Sequence, residues 1–124
     1  MFVDPTARVA VTLGENTIYI RAKMDAKTRA LIQDELRASR GRSEDGDEDG
    51  SEMRGLGSYQ LLLRAHNILD WEGPDFVDER GKKIPCTRAD IGRMDPTDPL
   101  YDLVGERIGE LNAEPEKPED SDPN

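Results

Sequence analysis

Histidine and cysteine are the side chains that titrate closest to neutral pH, and this chain carries one of each, His66 and Cys86. Acid–base or nucleophilic catalysis needs such a group poised beside a partner. His66 falls within a helical stretch and has no nucleophile near it in sequence. Cys86 lies just before a helix start, where the helix dipole can lower a thiol pKa. Its simpler role is as a small apolar residue stapled against Ile91. One histidine and one cysteine are too few for a structural zinc site. No phosphate-binding glycine loop and no Ser/His/Asp spacing is present either. The expectation is a protein that is not an enzyme, with no catalytic residue, no cofactor and no metal.

Acidic residues offer one more pattern. Asp45-x-Asp47-x-Asp49-Gly50 matches the first half of a calcium loop, but the twelfth position, where a bidentate glutamate belongs, is Leu56. Without that ligand the run reads as a solvated acidic loop. The stretch from Ser43 to Glu52 holds six acids and no base, and Ala113 to Asn124 holds five acids and one lysine. Together they account for the whole net charge of −10, and the other 102 residues balance 16 acids against 16 bases. A basic stripe able to neutralise phosphates is therefore missing; Arg37, Arg40 and Arg42 run straight into the acidic segment. Nucleic acid is not an expected partner. Nor is a membrane, since no apolar run approaches the about 20 residues needed to span one. The start, Met1-Phe2-Val3-Asp4-Pro5, lacks the basic and apolar stretches of a signal peptide, so the cytoplasm is the expected compartment.

Binding remains, and it needs surfaces. Alternation in Arg8–Leu13 and Thr17–Arg21, around Gly14-Glu15-Asn16, predicts a β-hairpin. Asp25 caps a helix running to about Ser39, whose thin stripe of Ile32 and Leu36 is expected to pack on the hairpin. A disordered acidic loop is expected over residues 43–56. Ser58 then caps a second helix, from Tyr59 to about Leu69, with Leu61, Leu62, Ala65, Ile68 and Leu69 as its core face. Asp70 to Thr87 reads as a ribbon or irregular loop anchored by Trp71 and Phe76. Thr87 caps a short third helix in an approximate capping box with Asp90. Asp98-Pro99 opens the last helix, where Leu100, Leu103, Val104, Ile108 and Leu111 give a clean amphipathic pattern. Residues 113–124 read as a disordered, proline-rich acidic tail. The fold class is thus α+β, mainly α, with one small domain over residues 1–112, an N-terminal hairpin and about four helices.

Two helix faces stand out on this scaffold as candidate partner-binding surfaces. Tyr59, Leu63, His66 and Asp70 form a stripe turned roughly 130° from the core face of the second helix. On the last helix Gly105 and Gly109 lie one turn apart beside Tyr101 and Asn112, and two interior glycines cost about 1 kcal/mol each relative to alanine. Close approach of another helix would explain them. The plainer alternatives are burial of the first stripe under the Trp71 ribbon and surface drift for the second.

The order of segments resembles the small tail assembly chaperones and related tail-cluster proteins of long-tailed bacteriophages, the siphophages. The resemblance covers residues 8–112. It is carried by Asn16-Thr17-Ile18-Tyr19-Ile20-Arg21, Met24-Asp25, Asn67-Ile68-Leu69-Asp70-Trp71-Glu72-Gly73-Pro74, Ile84-Pro85-Cys86-Thr87, Met94-Asp95-Pro96-Thr97-Asp98-Pro99-Leu100 and Leu111-Asn112. It implies a non-enzymatic helper that binds the long helical tape measure protein in the host cytoplasm until the tail tube assembles. It also implies absence from the finished virion and, in many members, a longer frameshifted form, which with the chain itself is a further expected partner. No catalytic residue is carried over. A structural virion component and an acidic inhibitor of a host protein are the alternative readings.

Overall fold

The computed structural model describes residues 1–41 and 48–113, with side chains described for 1–39 and 57–113. Strand β1 (Arg8–Leu13) and strand β2 (Asn16–Arg21) form the expected hairpin, with Leu13 opposite Asn16 and Arg8 opposite Arg21. The turn is only two residues long. Gly14 takes its first central position at φ 64, which suits the sharp primed turns that twisted strands require.

Two strands cannot bury enough surface to stand alone, and the third comes from an unexpected place. Residues Ile68–Glu72, expected to finish the second helix and begin a loop, form β3, antiparallel to β2 on the side away from β1. Ile18 faces Trp71 and Tyr19 faces Asp70, then the register slips so that Ile20 faces Ile68. In regular alternation Ile68 and Trp71 would point to opposite faces. The irregularity lets both be buried, at 5% and 2% exposure, and leaves Leu69 half-buried.

Helix α1 (Ala26–Gly41) begins as expected, with the Asp25 side chain accepting from the Thr28 N–H at 2.8 Å. Its packing differs from expectation. α1 lies against α2 (Glu48–Asn67), while α4 (Pro99–Asn112) covers the hairpin. The reason is the relative size of the apolar faces. α4 offers Leu100, Val104 and Ile108, all buried, whereas α1 has only Ile32 and Leu36. Asn112 locks the arrangement: its Oδ1 accepts from the Met24 N–H at 2.7 Å and its backbone carbonyl from Arg29 at 3.0 Å. Arg29, about one turn before Ile32 on α1, thus sits at the negative end of α4.

The start of α2 is a second correction. The backbone is helical from Glu48, so residues 48–56 of the expected disordered loop belong to α2, and Ser58 is inside the helix rather than its cap. Helix elongation is easy once the packed part has nucleated. Residues 43–47 of that loop, including two of the calcium-pattern aspartates, lie outside the described residues, as do residues 114–124 of the tail.

Between β3 and α4 the chain makes a 3-10 turn (Pro74–Phe76), a narrow ribbon bridged at Val77 and Lys83, and α3 (Arg88–Ile91). Trp71 and Phe76 are the expected anchors, stacked at 4.9 Å between centroids, and the Trp71 indole N–H donates to the Ile84 carbonyl at 2.7 Å. Thr87 caps α3, accepting from the Asp90 N–H at 3.1 Å and donating its hydroxyl to the Asp90 carboxylate at 2.7 Å. The fold is therefore α+β. Among the described residues a three-stranded antiparallel sheet and four α-helices share one core cluster, and no helix is long and apolar enough to cross a membrane.

Candidate functional site

The two candidate faces do not survive as surfaces. Leu63 is buried at 7% exposure and Tyr101 at 9%, while Tyr59 is half-buried against the core. Leu61, expected in the core, is 39% exposed. The cause is the early end of α2. Ile68 and Leu69 belong to a strand, and counting them as helical rotated the apparent core face away from the true one, which carries Leu62, Leu63 and Asn67. His66 is half-buried too, with Nε2 3.1 Å from Glu35 Oε1.

Gly105 has a reason inside the chain. A Cβ there would come within 2.9 Å of the Arg64 guanidinium carbon, so the close neighbour is a side chain of α2 rather than a foreign helix. Arg64 is only 3% exposed. Its guanidinium lies 3.8 Å from the Tyr101 ring centroid and donates to the Tyr101 carbonyl at 3.0 and 3.2 Å. It also donates to the Gln60 carbonyl and side-chain oxygen at 2.9 and 2.8 Å. Burial pushes its pKa down, partly offset by Tyr101 and Asp102. An arginine in the sequence reads as surface, so this one was missed. Gly109 faces open space, with nothing near the place a Cβ would take, and Asp70 lies on β3 rather than on α2.

The two near-neutral groups are separately engaged. Glu35 joins α1 to α2 through His66 and to α3 through Arg88, whose Nη1 donates at 3.0 Å. The Arg88 guanidinium, and then His66, hold the Glu35 carboxyl below its ordinary range. Burial, with Asp70 nearby, pushes the Cys86 thiol up to about 11, so it is protonated at neutral pH. Desolvation works against the helix-dipole activation considered for Cys86.

A concavity lies elsewhere among the described residues. A cleft of about 370 Å³ opens between the β3 end with its 3-10 turn and the α3–α4 link. Its floor is apolar, from Trp71, Phe76, Ile84, Met94, Leu100 and Tyr101. Its rim carries Asn16, Asp75, Asp90, Arg93, Asp95 and Asp98, four carboxylates against one guanidinium. Each acid is there for a local structural reason. Asp75 Oδ2 accepts from the Asn16 amide at 2.7 Å, clipping the turn to the hairpin. Asp95 Oδ1 accepts from both the N–H and the hydroxyl of Thr97, and Asp98 Oδ1 caps α4 through the Leu100 N–H. Asp90 is paired with Arg93 at 3.0 Å. Gly73, at φ 132, lets the turn dock, since a Cβ would sit 2.7 Å from the Glu15 carbonyl oxygen. What remains is asymmetric. Among the described residues, Asp75, Asp95 and Asp98 have no cationic partner, and each keeps one carboxylate oxygen without a hydrogen bond. The Thr97 hydroxyl, and then its N–H, hold the Asp95 carboxyl below its ordinary range, so it stays ionised. No group of three or more His, Cys, Asp or Glu among the described residues is arranged to hold a metal ion.

Such a site can bind a cationic group attached to an apolar stem. Neither a protein-family model nor a curated protein or solved structure matches this chain.

Proposed function

We propose that the chain is a protein-binding assembly factor, a phage tail assembly chaperone that holds the tape measure protein in the host cytoplasm until the tail is built. The observation that supports a binding role is the cleft, an apolar floor with an acidic rim of a volume suited to side chains of a polypeptide partner. The finer reading is supported by the order of segments over residues 8–112 that resembles the siphophage chaperones. On this reading the chain itself, or a longer frameshifted form, is a further partner, and nucleic acid and membrane are not.

Co-expression tests it. The tape measure protein alone should aggregate, and with this chain it should stay in the supernatant and be recovered by pull-down from infected cells. Purified virions should lack the chain. Stoichiometric presence in virions without tape measure contact would replace this reading with that of a structural virion component.

A further inference from the structure

We propose that the acidic cleft takes the side chain of an arginine presented by a partner polypeptide, its stem against the apolar floor and its guanidinium among Asp75, Asp95 and Asp98. The inference rests on the polypeptide-binding reading and names the chemistry of the partner at this site.

Charge complementarity selects a cation. The rim carries four carboxylates and one guanidinium, and Asp75, Asp95 and Asp98 have no cationic partner among the described residues. Three rim carboxylates each hold one oxygen in place with a backbone or side-chain donor and keep the other free. They are pre-oriented acceptors, so little side-chain entropy is lost when they bind. The floor selects an apolar stem. Met94 and Ile84 are only partly buried there, and a bare metal ion or ammonium would leave them uncovered. Arginine satisfies both demands better than lysine, because its planar guanidinium spans two acceptors at once and rests on aromatic carbon. The volume, at the lower end of the range for ligand sites, suits one or two side chains.

The probe is a short, capped, alanine-rich helical peptide with a single central arginine between leucines, compared with its twin carrying citrulline. Binding to the full chain is followed by NMR at the Trp71 indole N–H and the amides of Asp75 and Asp95. The arginine peptide should bind at least about fivefold more tightly than the citrulline peptide and shift these signals saturably. Equal binding, or shifts confined to other surfaces, would overturn the proposal. Asp95→Asn keeps the acceptor for Thr97 and should weaken the arginine peptide about threefold while leaving the citrulline peptide unchanged. The chaperone reading is separable. If the arginine and citrulline peptides bind equally while tape measure rescue persists, the arginine site falls and the chaperone stands. If the arginine peptide binds as expected but the tape measure is not held, the chaperone falls and the site stands.

Discussion

Two glycines one turn apart on α4 carry opposite consequences. At Gly105 an added methyl meets the Arg64 guanidinium. A long side chain could ordinarily swing aside, but this one is buried and held by Tyr101 and Gln60. Gly105→Ala should therefore cost about 1–3 kcal/mol, the range for overpacking a filled site. Gly109 faces open space, so Gly109→Ala should gain up to about 1 kcal/mol from helix propensity alone. Urea unfolding of the two variants reads both effects, and equal midpoints would mean that Arg64 is free to move. Burial also sets the reactivity of Cys86. With its pKa at about 11, the native thiol should react with a disulfide reagent at neutral pH about a hundredfold more slowly than an ordinary free cysteine. Full reactivity should return in urea; fast labelling of the folded chain would show that the dipole of α3 dominates.

At the scale of elements, Glu35 does the most joining, since it touches both α2 and α3 from α1. Its folded pKa is lowered, as are those of Asp25, Asp70 and Asp95. A depressed carboxylate contributes stability that is present above its unfolded pKa and lost as pH falls through the folded one. The unfolding midpoint should hold near neutrality and fall below about pH 4. Glu35→Gln should cost about 1 kcal/mol or less at pH 7 and make that acid loss shallower. An unchanged profile would show that the Arg88 and His66 contacts contribute nothing. Elements were legible where the sequence holds local chemistry. The hairpin, the Asp25, Thr87 and Asp98 caps and the α4 stripe follow from turn residues, capping residues and helical spacing. The α2–β3 boundary was not legible, because Asn67-Ile68-Leu69 offers no glycine or proline stop. Apolar residues there fit helix and strand equally well. Pairing with β2 decides for strand, and that is a contact made with residues about fifty positions away.

The whole molecule explains why the cleft escaped a reading of the chain. Asn16, Trp71 to Phe76 and Asp90 to Tyr101 come together only when β3 docks on the hairpin and α4 crosses below it. In sequence the same residues read as a turn, two anchors and two caps, each complete in itself. The acids therefore hold the fold locally and leave a negative rim collectively. The same assembly also sets how the chain unfolds. Trp71 is 2% exposed and sits in one cluster with residues from all three strands and all four helices. Indole burial and helix content should consequently be lost together. In urea the Trp71 emission should shift to the red with the same midpoint, and the same dependence on denaturant, as the far-ultraviolet helix signal. Helix α1 is the element most able to break this coincidence, because its packing runs mainly through α2 and the Glu35 contacts. A helix signal that falls at lower urea than the Trp71 signal would mark α1 as a separate, weaker unit, and Glu35→Gln should widen that gap.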